Sequence, residues 1–283
     1  MTIKMIAVDM DGTFLRDDDQ YDVQRFNQQF AKLRQLGIRF VAASGSQRQR
    51  LQSKFAAVAD QMDFISENGS IVYSDGQLLA VETIPQELLQ QVQQLVKTDF
   101  NVPLATTVVS GVRSAYVDQQ ESPTIFKIKQ RYYNELTRVD HILDVSSRRL
   151  DDPIVKLGIW FNADVDFAAQ TKRVKQALPA KLESLASGFN TELIGLRGVN
   201  KRTGIAHLQA KYRIQDDEVM TFGDNENDVA MLEMTPYGYA MQNAHQSAKT
   251  AAHHLAPDNN RDGVLDVIDQ VIADAQEDEE QTA

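Results

Sequence analysis

Cysteine is absent from the 283-residue sequence, which excludes disulfide bonds, thiolate zinc sites and thiol nucleophiles. No apolar run reaches the roughly 18 residues that a membrane span needs, and an acidic residue interrupts the N-terminal apolar segment where a signal peptide stays hydrophobic. Positive charge is in deficit, with 29 basic against 40 acidic residues. We therefore expect a cytoplasmic protein without membrane or nucleic-acid partners, and the sequence leaves its oligomeric state open.

The first third of the chain alternates short apolar runs with amphipathic segments. Residues 3–8 and 38–43 predict strands buried on both faces, and a third strand is predicted around Phe64 and Ile65. The segment between the first two has apolar residues at helical spacing, namely Val23, Phe26, Phe30, Leu33 and Leu36. The resulting βαβαβ pattern predicts an α/β fold with a doubly wound parallel sheet, which binds ligands beyond the carboxyl ends of its strands.

A different pattern occupies the middle of the chain. Residues 85–193 predict helices and strands in mixed order, which is typical of an α+β module, and from Lys201 onward the strand and helix alternation returns. We therefore predict a discontinuous core of residues 1–84 and 194–283, interrupted by an inserted domain of residues 85–193. The acidic terminal segment, residues 274–283, predicts a solvated and frayed tail.

Two acidic clusters follow predicted strands at opposite ends of the sequence. Asp9 and Asp11 lie two residues apart after the first strand, and Asp224 and Asp228 follow a strand predicted at residues 219–222. An isolated pair of aspartates is more often a simple loop cap, but parallel neighbouring strands would bring both clusters to one sheet edge. Several carboxylates that meet there need a cation to stay ionised, and Mg²⁺ prefers such oxygen ligands.

Two weaker signals point to an anion site at the same edge. Ser44 and Gly45 end the second strand where a helix begins, so that free backbone amides and the helix dipole favour an anion. Lys201, just before the helix that leads to the second cluster, can neutralise phosphate charge, although a single lysine is usually a surface residue. The order and spacing of all four segments carry more weight than either signal alone.

Together these segments resemble the four motifs of the haloacid dehalogenase (HAD) superfamily of aspartate-dependent phosphatases. The matching positions, in motif order, are residues 5–13, residues 43–45, Lys201 and residues 223–228. Three further segments, residues 67–69, 241–244 and 259–264, resemble the Cof-type (type IIB) branch, whose cap is inserted between the second and third motifs. Many relatives carry an arginine directly after the glycine of the second motif, whereas this sequence has Ser46-Gln47. A polar pair at this position resembles the sugar-phosphate phosphatases of that branch.

The resemblance implies a Rossmann-like HAD core with an α+β cap of the C2B type, and it implies a role for each motif residue. Asp9 would be the nucleophile and Asp11 the general acid and base. Mg²⁺ would be held by Asp9, the backbone carbonyl of Asp11 and Asp224, with Asp228 in support. The residues that would hold the phosphoryl oxygens are Ser44, Gly45, Lys201 and Asn227.

These features lead us to expect a magnesium-dependent phosphatase of small phosphorylated metabolites, most simply sugar phosphates, that works through an aspartyl phosphate. A phosphotransferase or phosphomutase is an alternative, because the same intermediate can pass to a sugar hydroxyl. A non-catalytic phosphate-binding regulator is a third, which the presence of Asp11 disfavours, because a binding protein has no use for a general acid. The substrate itself does not follow from the sequence.

Overall fold

The computed structural model describes residues 3–100, 106–161, 164–187 and 190–282. It divides into two compact units, one formed by Met1–Ala80 with Asn200–Ala283 and the other by Val81–Val199. The domain boundaries predicted after residue 84 and before residue 194 lie within a few residues of these positions and stay predictions. No helix in the described ranges is both long enough and apolar enough to cross a membrane.

The strands and helices of the described residues are numbered in chain order. The strands are β1 (Met5–Val8), β2 (Arg39–Ala43), β3 (Asp63–Ser66), β4 (Ile71–Ser74), β5 (Gln77–Val81), β6 (Thr107–Gly111), β7 (Ala115–Asp118), β8 (Leu136–Val139), β9 (Ile154–Trp160), β10 (Leu182–Ser187), β11 (Thr191–Leu196), β12 (Val219–Gly223), β13 (Tyr237–Met241) and β14 (His254–Ala256). The helices are α1 (Val23–Gln35), α2 (Arg48–Lys54), α3 (Gln86–Thr98), α4 (Pro123–Lys129), α5 (Ser147–Leu150), α6 (Phe167–Ala177), α7 (Lys201–Tyr212), α8 (Val229–Glu233), α9 (Gln246–Ala251) and α10 (Gly263–Thr282).

The first unit is built on an eight-stranded sheet with the order β14-β13-β12-β1-β2-β3-β4-β5. Its strands are parallel from β14 through β3, and β4 turns back antiparallel to β3. Strand β1 lies in the middle, and all four of its residues are buried, which explains its continuous apolar sequence. The predicted doubly wound α/β fold is confirmed.

The register of the central strands decides where the site residues meet. Val8 of β1 pairs with Phe222 of β12 on one side and with Ala42 of β2 on the other. The residues that follow these three strands therefore leave the sheet at the same edge and at the same level. This edge is where the sequence places its acidic clusters and Ser44.

The second unit contains a six-stranded sheet with the order β10-β11-β9-β6-β7-β8. Its pairs are antiparallel except for β7 with β8, as expected for the α+β module. Its main core combines residues of α3, α6 and the sheet, among them Leu89, Val92, Val174, Leu157 and Ile194. The sequence also predicts a strand from Ala105; that residue lies outside the described ranges, and within them strand β6 runs from Thr107.

The C-terminal segment differs from its prediction. The chain forms helix α10 from Gly263 to Thr282, so that the prediction of a frayed tail is wrong for the described residues. The first half of the helix is anchored by buried Leu265 and Ile268 and by Arg25 of α1, whose guanidinium donates to Asp266 at 2.7 Å. Because the packed first half has already formed a helix, the acidic second half only has to continue it, which costs less than starting a new helix. The composition of the acidic segment alone does not reveal this.

One buried carboxylate organises the β6–β7 turn of the second unit. The side chain of Asp152 is 1% exposed and accepts hydrogen bonds from the backbone amides of Val112 at 2.9 Å, Arg113 at 3.0 Å and Ser114 at 3.3 Å. The Tyr116 hydroxyl donates a fourth at 2.8 Å. Because these donors have little access to water, the carboxylate satisfies groups that would otherwise be costly to bury.

Asp152→Asn should lower the free energy of unfolding by about 2–4 kcal/mol, because the amide nitrogen turns a donor toward backbone donors. The matched control is Asp151→Asn, next in the chain, since the Asp151 side chain is 95% exposed and Arg113 contacts it only at 3.4 Å. That variant should change stability by less than about 0.5 kcal/mol. Urea unfolding followed by circular dichroism measures both, and equal effects would contradict this role for Asp152.

Candidate active site

A buried ammonium group links three distant parts of the first unit. Lys201, the first residue of α7, is fully buried, and its Nζ forms ion pairs with Asp9, directly after β1, and with Asp228 at 2.6 Å. Asp228 uses its other oxygen to accept the backbone amides of Asp224 at 2.9 Å and Asn225 at 3.0 Å. Lys201 and Asp228 thereby fix the Asp9 carboxylate and the loop after β12 in one arrangement.

Asp224 lies against the loop that carries Asp9. The Thr13 hydroxyl donates to Asp224 Oδ1 at 3.0 Å. Gly12 has a φ of +83°, and a Cβ atom on it would lie 2.7 Å from Asp224 Oδ2. Only glycine therefore permits both the left-handed backbone and the close approach of the two loops.

The carboxylates of Asp9, Asp224 and Asp228 lie together, with one oxygen of each within 4.8 Å of the others. Burial raises the pKa of Asp9 well above its ordinary value; Lys201 opposes this shift, and Asp228 and Asp224 add to it. Burial and the charge of Asp228 also raise the pKa of Asp224. Burial alone would lower the pKa of Lys201, but the charges of Asp228 and Asp9 outweigh it and raise that pKa.

This donor set fits a divalent cation. Three ionised carboxylates around one ammonium group leave two negative charges uncompensated, which matches the charge of such an ion. Lys201 engages one oxygen of Asp9, and Thr13 engages one oxygen of Asp224. Both oxygens of Asp228 are engaged, so that Asp9 and Asp224 are the better direct ligands and Asp228 supports them.

The Asp11 carboxylate lies outside this cluster. Its side chain is 57% exposed, and Arg50 of α2 holds it in a two-pronged ion pair, with Nη1 and Nη2 each 2.8 Å from a different carboxylate oxygen. Arg50 also donates to Ser46 Oγ at 2.7 Å. Asp9 and Asp11 are therefore separated by environment, one buried and fixed, the other held at the surface.

The predicted anion-binding residues gather at the same sheet edge. The Ser44 amide donates to the Ile65 carbonyl at 2.8 Å, and Ser44 Oγ accepts the Ser46 amide at 3.1 Å. Asn227 lies in the short turn before α8, and its Nδ2 donates to Asn68 Oδ1 at 3.1 Å. The described residues thus place Ser44 and Asn227 on the loops that follow β2 and β12, on either side of Asp9.

Sequence reasoning gave no role to several residues that shape the site. Arg50 and Asn68 contact predicted site residues directly. Asn243 donates to the Gly12 carbonyl at 2.7 Å, and its Oδ1 accepts the Asn259 amide at 3.1 Å. For the three asparagines, the available signal was the resemblance of their segments to Cof-type motifs. Arg50 carried no comparable signal.

Comparison with known proteins agrees with this geometry. A family model for haloacid dehalogenase-like hydrolases matches residues 6–268. The sequence is 35% identical over 272 residues to the 5-amino-6-(5-phospho-D-ribitylamino)uracil phosphatase YbjI of Escherichia coli, covering 96% of this chain and 97% of that protein.

Two solved structures extend the comparison. The crystal structure of SMU.1108c from Streptococcus mutans matches with a TM-score of 0.82 at 31% identity and covers 96% of this chain and 100% of that one. The HAD subclass IIB sugar phosphatase BT4131 matches with a TM-score of 0.75 at 19% identity over 95% of this chain and 98% of its own, which is a likeness of fold.

The chain therefore belongs to the haloacid dehalogenase-like hydrolase family. Its fold matches the solved structures of that family, with a doubly wound, Rossmann-like α/β core and a second, α+β unit. It is a phosphoric monoester hydrolase. The predicted family, fold class and enzyme class are confirmed.

The acidic cluster makes cation binding depend on pH. Because folding raises the pKa of Asp9 and Asp224, these two carboxyl groups hold more protons in the folded metal-free protein than in the unfolded chain, and their contribution to stability falls as the pH rises from about 4. A divalent cation removes that loss. MgCl₂ should therefore raise the melting temperature more at about pH 7.5 than at about pH 5, as measured by circular dichroism.

Two controls separate site binding from a general salt effect. NaCl at matched ionic strength should not reproduce the shift, and Asp224→Asn should reduce the shift at the higher pH. An equal MgCl₂ increment at both pH values would contradict the assignment of the cation to these carboxylates.

Proposed function

We propose that the protein is a magnesium-dependent phosphatase of small phosphorylated metabolites and that it works through an aspartyl phosphate on Asp9. The observation that carries this proposal is the fixed Asp9 carboxylate, held by Lys201 within a cluster of acids at the carboxyl edge of the sheet. A buried carboxylate held in one orientation suits a nucleophile, because it needs no reorganisation before attack.

Mg²⁺ is the ion we propose for the acidic cluster. Asp9, the backbone carbonyl of Asp11 and Asp224 would hold it, with Asp228 as the supporting residue. Bound there, the ion supplies charge neutralisation for the phosphoryl oxygens and the carboxylates. We assign the remaining phosphoryl contacts to the Lys201 ammonium, the Ser44 hydroxyl, the Gly45 amide and the Asn227 side chain.

The reaction proceeds in two displacements. An oxygen of Asp9 attacks phosphorus, the bond from phosphorus to the ester oxygen breaks, and Asp11 gives its proton to the departing oxygen. Water then attacks the aspartyl phosphate while Asp11 takes up a proton, and inorganic phosphate leaves. Asp11 must first leave Arg50, and water can replace that contact because the Asp11 side chain is 57% exposed.

For the substrate we propose phosphates of sugars or sugar alcohols. The Escherichia coli relative is named for a substrate that carries a phosphorylated ribityl chain, and a structural neighbour is described as a sugar phosphatase. Both names support a polyhydroxylated leaving group. Such alkoxide leaving groups are poor without protonation, which agrees with the retention of Asp11 beside the nucleophile.

Asp9→Asn should abolish turnover, because an amide is neither a competent nucleophile nor an anionic ligand for the ion. The measurement is phosphate release from a panel of a sugar phosphate, a sugar-alcohol phosphate, phosphoglycolate, a nucleotide and p-nitrophenyl phosphate. The control is Asp60→Asn, an exposed acid on another loop, which should keep wild-type rates.

Two results on this panel would contradict the proposal. One is near-wild-type turnover by folded Asp9→Asn. The other is transfer of the phosphoryl group to added sugar without release of inorganic phosphate, which would favour the phosphotransferase.

Asp11→Asn should reduce hydrolysis of an alkyl phosphate by about 10²–10⁴-fold, and hydrolysis of p-nitrophenyl phosphate much less, because p-nitrophenolate leaves without a proton. Arg50→Gln is the matched control, since it breaks the same ion pair but keeps the carboxylate. It should show no such dependence on the leaving group. Steady-state kcat values measure the difference, and an equal loss on both esters would remove Asp11 from the acid role.

A further inference from the structure

The turn after β3 has an unusual backbone. Glu67, Asn68 and Gly69 adopt φ values of +52°, +56° and +101° in succession. For Glu67 this left-handed region costs roughly 1–2 kcal/mol, whereas asparagine adopts it more readily than most residues. Such a conformation persists only where the surroundings enforce it, and it concentrates at functional sites.

Both neighbours that enforce this turn belong to the proposed active site. The backbone amide of Asn68 donates to the Ser44 carbonyl at 3.0 Å, and the backbone amide of Glu67 donates to the Ser46 carbonyl at 3.2 Å. On the other side Gly69 packs so tightly that a Cβ atom on it would lie 2.0 Å from the Asn200 carbonyl oxygen. The turn is thus wedged between the loop of Ser44 and the residue that precedes Lys201.

The strained backbone places the Asn68 side chain among the phosphate-binding residues. An ideal Cβ on Gly45 would lie 3.0 Å from Asn68 Oδ1 and 3.2 Å from Asn68 Nδ2, so that the amide group lies against Gly45. Asn68 Oδ1 accepts the Asn227 amide group at 3.1 Å. The Asn68 side chain therefore lies between two groups that we assign to the phosphoryl oxygens.

The side-chain nitrogen of Asn68, Nδ2, is a hydrogen-bond donor without an acceptor among the described residues. The residue is only partly buried. Since Oδ1 accepts from Asn227, Nδ2 is the atom of this side-chain amide that remains to donate, and it lies beside Gly45. A neutral donor is well suited to an anion that the nearby carboxylates would otherwise repel.

We infer that Asn68 is a further phosphate-binding residue, whose Nδ2 donates a hydrogen bond to a phosphoryl oxygen beside Ser44 and the Gly45 amide. This inference rests on the proposed function, because it requires the phosphoryl group to occupy that position. It also gives the left-handed turn a purpose, namely to bring this side chain over Gly45.

Two variants of the full-length protein test the inference. Asn68→Gly removes the side chain and tolerates the left-handed backbone. Asn68→Asp keeps an oxygen that can accept from Asn227 and replaces the donor by a negatively charged acceptor. The probe is inorganic phosphate as a competitive inhibitor of p-nitrophenyl phosphate hydrolysis, with Arg213→Gly as the control, because Arg213 is also left-handed, at φ +57°, and ends α7.

Both Asn68 variants should raise the inhibition constant of phosphate and the KM by about tenfold or more, the usual effect of losing a hydrogen bond to a charged group. Arg213→Gly should leave both constants unchanged. Melting temperatures should not fall in Asn68→Gly, because the substitution relieves strain, and this readout separates binding from structural damage.

The remaining outcomes overturn the inference. An effect in Asn68→Asp alone would be a charge effect, and an effect in Asn68→Gly alone would show that Asn68 acts by positioning Asn227. Unchanged constants in both variants would reject Asn68 while the proposed function stands. A wild-type protein that hydrolyses no phosphate ester would overturn the proposed function and this inference with it.

Discussion

The buried ammonium group of Lys201 is the interaction on which the rest of the site depends. Removing a charge from water is expensive, and only close carboxylates on both sides make the fully buried position of Lys201 tolerable. Because Asp9 follows β1 and Asp228 precedes α8, the ammonium group links the end of the central strand to the loop after β12. The same contacts that stabilise the fold therefore fix the orientation of the Asp9 carboxylate, which we propose as the nucleophile.

This arrangement leaves the acidic cluster of Asp9, Asp224 and Asp228 with more negative charge than the Lys201 ammonium can balance. Burial and mutual repulsion raise the pKa of Asp9 and of Asp224, which means that the metal-free protein is destabilised when both carboxylates are ionised. Such a cluster is unfavourable as a purely structural device. The cation and the phosphoryl group that we propose for this site would offset that cost, so that lower stability of the metal-free protein would accompany higher affinity for its ligands.

The sequence was informative where burial leaves a continuous apolar pattern. Strands β1 and β2 are buried between neighbours, so their ends, and with them Asp9 and Ser44, were predictable. The edge strands β8 and β14 were not predicted, because half-exposed residues such as those of Leu136–Val139 give no such run. The sequence analysis also gave no role to Arg50 and Asn68. Helix α2 and the turn after β3 bring these side chains to the site only through the folded structure.

The two acids of the first motif lie in environments that suit the two chemical tasks we propose for them. Asp9 is buried and held by Lys201, whereas Asp11, two residues later, reaches water and pairs with Arg50. A nucleophile gains from a fixed position, and a residue that carries protons between leaving group and water gains from freedom to move. The Asp11 carboxylate is open to water on its other side, so that it can exchange Arg50 for a substrate contact. A buried pair at that position would hold Asp11 as firmly as Lys201 holds Asp9, and the loop would then present two fixed carboxylates and no mobile acid.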